Sequence, residues 1–450
     1  MNTIVLVGSH LGYPMDRTPL GGGAMVAVQL LRHWARMGGT RLVALGAGSQ
    51  SPSPGIEYHR LPAPVGQGDD PDLVRMSEWA YARFSRAFEK AATGFLSSRL
   101  AQFPPDRTVL IINDVAEAPD MAALARLGYH QVSLWHVDVV DYFNRLYLGG
   151  LLPPERLTRA FDFWDALRLG IFLPDILKLV FRKQKDAVGH SDTLVVPSRG
   201  MAQTLQRCYG RAIADRILVV PWGVWRESGG EGGERAAAEA CASQEGGLRE
   251  RYGIGPSTRV VMTLSRIAPE KGIDFLLKAV RLIEDSLDFD LCLFVCGEPA
   301  FMRSASYFRK VRSLAKSLRR ARVFFPGYLA GERKRAHFRL ADLFVSASIH
   351  ESYGLTVVEA MQAGVPVLAS DHYGVREALD ESYGRVVRYD GARPERALAG
   401  ALRELLRDPA RLKRMGVLAR EAAAGMDFSR SAERVRCAAL SLLEAGDRAL

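Results

Sequence analysis

Glu351 and Glu359 bracket the segment Ser352-Tyr353-Gly354-Leu355-Thr356-Val357-Val358. A glycine at 354 lets backbone approach a ligand closely. The stretch from Leu355 reads as a helix start, whose first-turn N–H groups point at any anion lying before them. Glu359 then lies about one turn into that helix, within reach of ligand hydroxyls, and Glu351 approaches from the preceding loop. Two carboxylates around a helix N-terminus suit a ligand that carries both hydroxyls and phosphates. A second group is Ser265-Arg266-Ile267-Ala268-Pro269-Glu270-Lys271-Gly272, where Arg266 and Lys271 bracket a proline-fixed turn and can converge on one point. A guanidinium fork beside a mobile ammonium is what a diphosphate needs. Taken singly, both motifs also read as ordinary surface, with Glu359 a solvated helix residue, Glu351 a loop charge, and Arg266 and Lys271 solvated.

Leu20-Gly21-Gly22-Gly23-Ala24 precedes a helical segment from Val26 to Met37. A glycine-rich turn opening a helix is another anion cradle, although such turns also serve simple chain reversal. Gly8 and Gly12 do not complete a Gly-x-Gly-x-x-Gly dinucleotide fingerprint. His136 follows an apolar run directly, with Asp138 and Asp141 close behind in sequence; it serves either as a ligand contact or as a structural histidine. Asp288-Phe289-Asp290 spells an Asp-x-Asp, but it precedes a strand, at the wrong end of a sheet for a metal site, and no metal is expected.

These residues need elements to hold them. Short apolar, β-branched runs alternate with helix-length amphipathic segments, the pattern of parallel sheets with crossover helices. Ile4–Val7, Arg41–Leu45, Val109–Ile112, Val132–Trp135, Thr193–Val196 and Ile217–Val220 read as strands of a first domain. Arg259–Leu264, Leu291–Cys296, Val323–Phe325, Leu343–Val345 and Pro366–Ala369 read as strands of a second. The expected division is an N-terminal domain over 1–224, a linker or insertion over 225–247, and a C-terminal domain over 248–427, with a helix at 428–450 packing back on the first. Ligands in doubly wound sheets bind at the carboxyl ends of the strands, and the singled-out residues fall there.

The 450 residues suit two domains; 48% are hydrophobic and 24% charged, the balance of a globular protein with a real core. Five scattered cysteines (Cys208, Cys241, Cys292, Cys296, Cys437) have neither zinc nor disulfide spacing and read as reduced thiols. The N-terminus runs straight into a strand with no leader pattern, and no stretch supplies the roughly 20 apolar residues of a spanning helix, so a cytoplasmic protein is expected. The net charge of +10 favours anionic partners, but no nucleic-acid-binding pattern is present, and Arg333-Lys334-Arg335 reads as a solvated cluster. The apolar segment from Asp141 to Lys185, with Trp164 and Phe172, is helical by spacing. It suits an acceptor lid or a dimer contact ahead of a peripheral membrane-facing patch, leaving a monomer or a homodimer open.

The Glu351–Glu359 spacing, the Arg266…Lys271-Gly272 loop and Pro221-Trp222-Gly223-Val224 together resemble family-4 retaining glycosyltransferases. The resemblance covers the second domain closely and the first loosely. It implies an α/β GT-B fold, two doubly wound Rossmann-like domains facing across a cleft. The implied activity is metal-independent, retaining transfer of a hexosyl-type sugar from a UDP- or GDP-sugar to a small-molecule acceptor, in natural-product, thiol or glycolipid biosynthesis. By the same resemblance Arg266 and Lys271 hold the donor diphosphate, Glu351 contacts the transferred sugar and Glu359 the ribose. The amides of Gly354, Leu355 and Thr356 meet phosphate and sugar oxygens, the Gly22-Gly23 loop closes over the donor, and His136 lies near the transferred sugar. Ser265 stands where the family usually has Gly, and Trp222 where it often has Asn, with a change in hinge packing expected. Rival readings on the same fold are a nucleotide-sugar 2-epimerase, a phosphorylase using Lys271 for pyridoxal phosphate, and a non-catalytic sugar-nucleotide binding protein.

Overall fold

A computed structural model of the chain describes residues 1–15, 18–62, 72–147, 149, 152–167, 175–225, 245–300, 304–389 and 393–447. It divides into two compact units, Met1–Trp222 with Ser429–Leu450, and Gly223–Phe428. Each is built on a parallel sheet.

In the first unit the strands are β1 (Thr3–Val7), β2 (Arg41–Gly46), β3 (Glu57–Arg60), β4 (Thr108–Ile112), β5 (His130–Leu134), β6 (Thr193–Val196) and β7 (Ile217–Val219). They lie in the order β3-β2-β1-β4-β5-β6-β7. β1 and β4 are buried at every position, as strands covered on both faces must be, which is why each reads as an unbroken apolar run. The order reverses between β1 and β4, so the loops leaving these two strands diverge and open a crevice. β3 is the strand the sequence hides. Its residues Glu57-Tyr58-His59-Arg60 are polar because it is an edge strand, buried on neither face.

The helix Gly22–Met37 buries Ala24, Val26, Ala27, Leu30, Leu31 and Trp34, the spacing of one apolar face. Trp34 meets a helix from the far end of the chain. Its indole N–H donates to the carbonyl of Ala432 at 2.9 Å, in the helix Phe428–Asp447. Ser431 donates to Pro221 O at 2.7 Å, and Arg436 to Gly38 O at 2.8 Å, so the tail is bonded at three places.

The segment expected to be helical from Asp141 to Lys185 contributes to the helices Val139–Tyr147, Pro154–Ala166 and Asp175–His190. Phe161 stacks on Phe181 at 4.6 Å, and Val140 completes this small core. Trp164 is exposed, while Phe172 lies outside the described residues.

In the second unit the strands are β8 (Arg259–Leu264), β9 (Leu291–Cys296), β10 (Arg322–Gly327), β11 (Leu343–Ser346), β12 (Val367–Ser370) and β13 (Gly384–Val387). Their order, β10-β9-β8-β11-β12-β13, again reverses next to the first strand, between β8 and β11. The loops Ser265–Lys271 and Ala347–Gly354 leave the two strands at that switch point. β13, like β3, is a short edge strand absent from the sequence-based expectation. Asp288-Phe289-Asp290 lies before β9, where the carbonyl of Asp290 accepts from Arg259 N at 2.8 Å, as a sheet-edge turn does.

Of the linker expected at 225–247, residues 226–244, Cys241 among them, lie outside the described residues. Cys208, Cys292, Cys296 and Cys437 carry free thiols. Among the described residues no helix is long and apolar enough to cross a membrane.

Trp34→Phe removes the donor to Ala432 while keeping an apolar ring. We expect a loss of about 1–3 kcal/mol, one buried hydrogen bond to a helical carbonyl plus a partial cavity, and earlier proteolytic release of the C-terminal helix. An unchanged urea midpoint would show that this contact does not hold the tail.

Candidate functional site

The site in the second unit begins with a steric requirement. Gly272 ends the short turn Pro269–Lys271 in the left-handed region, at φ 60°. A Cβ there would come within 2.1 Å of Ala347 O, so only glycine lets the two switch-point loops touch. Ile349 N donates to Glu270 O at 2.8 Å and ties the second loop to the first. Gly297 plays the same part behind them, because a Cβ at that residue would meet Ser265 O at 1.9 Å.

Pressed together in this way, the loops set Lys271 against Glu351. Lys271 Nζ lies 2.5 Å from Glu351 Oε2, and the side chains are only 12% and 22% exposed. Burial alone would raise the Glu351 carboxyl. The charge and hydrogen bond of Lys271, with His372 and His350 adding, outweigh burial and hold it below the usual carboxylate range. Arg266 turns to Glu270, 3.3 Å from Nη2 to Oε1. Glu270 itself is buried, so the guanidinium is held by a carboxylate that has little freedom to move.

Gly354 stands immediately before the helix Leu355–Gln362, again left-handed, at φ 93°. No side chain caps this helix, so the first-turn N–H groups of Leu355 and Thr356 retain their capacity for an anion. Glu359, about one turn in, meets a partner the sequence reading had placed elsewhere. Lys334, on the helix Gly331–Leu340, puts Nζ 2.7 Å from Glu359 Oε1, with the two side chains 25% and 18% exposed. The expectation of a solvated basic cluster at Arg333-Lys334-Arg335 therefore fails for its middle member. Helical spacing turns Lys334 inward onto Glu359, a contact no local signal around 334 reveals.

The second unit thus brings Arg266, Lys271, Glu351, Gly354, Leu355, Thr356 and Glu359 around one switch point. Residues 247–422, nearly all of this unit, match the family described as Glycosyl transferases group 1. The second unit is a group 1 glycosyl transferase domain. A D-inositol 3-phosphate glycosyltransferase of Nocardia farcinica is 32% identical over 56% of this chain and 52% of its own length. A GDP-mannose-dependent alpha-(1-6)-phosphatidylinositol monomannoside mannosyltransferase of Mycobacterium tuberculosis is 35% identical over 39% of this chain and 45% of its own. The chain thus matches about half the length of these curated relatives. Among solved structures, sucrose-phosphate synthase from Thermosynechococcus elongatus superposes with a TM-score of 0.71 at 19% identity, covering 99% of this chain and all of that one. Anabaena HepE, solved in complex with UDP and glucose, gives 0.63 at 15% identity over 98% and 100%. The whole chain therefore has the GT-B fold, with the transferase domain as its second half.

In the first unit the remaining candidates also meet. Gly23 lies in the first turn of the helix Gly22–Met37, and a Cβ on it would come within 2.8 Å of the His136 ring. Gly22 beside it is exposed. His136 follows β5, and its Nε2 lies 3.0 Å from Asn113 Oδ1. That oxygen can only accept, so the proton sits on Nε2 and the lone pair on Nδ1. Trp222, expected to alter hinge packing, is buried with its ring 6.2 Å from that of His136. Sequence reading missed Asn113, although an Asn-Asp pair directly after an apolar strand is a signal of the same kind as His136.

Burial pushes the His136 imidazole down to about 4; nearby His10 adds to this and the bond to Asn113 opposes it. The unfolded chain takes up this proton near the ordinary value of about 6.5 and the folded one only near 4, so stability is lost as pH falls between them. His136→Gln should flatten that limb of the stability curve by on the order of 2–3 kcal/mol at pH 4. Parallel curves for the two proteins from pH 7 to pH 4 would contradict a buried, neutral His136.

Proposed function

We propose that the chain is a retaining glycosyltransferase that moves a sugar from a nucleotide diphosphate to an acceptor hydroxyl, amine or thiol, with the donor held by the transferase domain. The observation that carries this reading is the pair of ion pairs Lys271–Glu351 and Lys334–Glu359 on either side of the uncapped helix start at Leu355. Hydroxyl acceptors, phosphate donors and a helix N-terminus are all present within one compact unit. The relative named as GDP-mannose-dependent and the HepE complex with UDP and glucose support a nucleotide-sugar donor, with guanine and uracil as the candidate bases.

On this reading Lys271 and Arg266 take the diphosphate, and the amides of Gly354, Leu355 and Thr356 share its oxygens. When the anion arrives Lys271 exchanges one partner for another, and Glu351, already ionised, accepts from hydroxyls of the transferred sugar. Glu359 accepts from the ribose, and Lys334 fixes the orientation of its carboxylate. Two lysine or arginine charges and a helix dipole neutralise the leaving diphosphate, so the donor itself needs no metal. Among the described residues at the site no carboxylate pair stands as nucleophile and acid, and the reaction proceeds on one face, with the departing phosphate taking the acceptor's proton. Gly22 and Gly23 approach the donor, and neutral His136 shelters positive charge developing on the sugar. The acceptor is a small molecule.

Glu359→Ala should weaken donor binding by at least about tenfold, since each charge-assisted bond to ribose is worth roughly 1.5–3 kcal/mol. Chelator should leave donor binding unchanged. Calorimetry with UDP- and GDP-sugars measures both, and undiminished binding by the variant would remove Glu359 from the donor site.

Arg266→Ala and Lys271→Ala address chemistry. Interactions that strengthen in the transition state lower kcat when removed, here by about 10²–10³-fold. A merely structural loop would lose stability and affinity together. If both variants keep near-native kcat and only melt earlier, the diphosphate clamp is wrong.

A further inference from the structure

The first sheet also reverses its strand order, between β1 and β4, and the loops leaving those strands carry a group that the proposed transfer does not use. His10 lies just past β1. Asp114 lies just past β4, and Glu117 ends the single turn Val115–Glu117. One ring nitrogen of His10 and one carboxylate oxygen from each of Asp114 and Glu117 lie within 4.8 Å of one another.

Their surroundings are fixed. Tyr81 donates its hydroxyl to Glu117 Oε1, and Asp114 Oδ1 accepts from Ala116 N at 3.0 Å. Ser9 Oγ lies 3.2 Å from His10 Nδ1. Glu117 is only 3% exposed, and its second oxygen, Oε2, has no hydrogen-bond partner among the described residues. A buried carboxylate oxygen left so is expensive unless something positive is brought to it. The ammonium of Lys183 acts on Glu117 through its charge, but its hydrogen bonds go elsewhere. Lys183 is buried, donates to Ala118 O and lies 2.7 Å from Glu89 Oε2. It is shared among three carboxylates, Glu89, Asp186 and Glu117.

We propose that His10, Asp114 and Glu117 bind a divalent metal ion at the switch point of the first sheet. One imidazole nitrogen and two carboxylate oxygens form a mixed donor set suited to zinc or manganese, with further positions left for water or a ligand. Asn113, next to Asp114 in the chain, is the residue bonded to His136. The ion therefore anchors the loop that orients His136, and acts as a positioning centre in the first unit. It is separate in residues from the clamp in the transferase domain.

The test uses the full chain, stripped with chelator and titrated with zinc chloride or manganese chloride by calorimetry. One equivalent of at least one metal should bind, and Glu117→Gln and His10→Gln should each weaken it by at least about tenfold. His10→Gln changes only a loop side chain and decides the matter where Glu117→Gln fails to fold. Donor binding should be the same with and without metal, so a failed metal titration leaves the transferase reading standing, and a failed donor titration leaves this one. The proposal is overturned if neither metal binds more tightly than about millimolar, or if binding is as tight in the folded variants as in the natural chain.

Discussion

Everything at the candidate site of the second unit depends on two loops passing each other at backbone contact. Gly272 against the carbonyl of Ala347 and Gly297 against that of Ser265 leave no room for a single carbon atom. An alanine at either place would have to push one loop away, and with it the distance between Lys271 and Glu351. The chemistry of the site is charge at close quarters, and charge interactions decay with distance and with water entry. Glycine packing thus sets electrostatic strength, although glycine has no charge to contribute.

The same closeness explains why the site's carboxylates come with partners. Glu351 and Glu359 are mostly covered, and an uncompensated buried carboxylate would cost several kcal/mol. Lys271 and Lys334 supply the compensation. On the proposed reading, a polyhydroxylated phosphate ligand replaces both interactions without raising the charge left unpaired, because it offers anions to the lysines and donors to the carboxylates.

Much of this was legible in the residues. Eleven strands showed as apolar runs; nine of them are buried, because parallel strands covered on both faces have nowhere to place polar side chains, while β7 and β10 are half-buried edges. The glutamate spacing, Gly354 and the Arg266–Lys271 loop showed because a helix start after a strand is a local pattern. What stayed hidden was either at an edge or non-local. Glu57–Arg60 and Gly384–Val387 are edge strands whose half-exposed residues carry no apolar signature. Lys334 meets Glu359 across 25 residues, and His10 meets Asp114 only because strand order brings β1 beside β4. Helical phase made Lys334 look like its exposed neighbours. Neither contact exists in any sequence window.

The tail helix carries a consequence for the order of events as the chain is made. Trp34 finds its carbonyl partner 398 residues downstream. On a ribosome, the first unit would therefore emerge with an indole donor and an apolar helix face uncovered, and would keep them so while all of Gly223–Phe428 is synthesised. The second unit is continuous, and its core closes once the helices after its last strand, which supply Leu398, Leu402 and Leu412, have appeared. The unit that begins first finishes last, and its early, incomplete form is the one a chaperone or protease would meet.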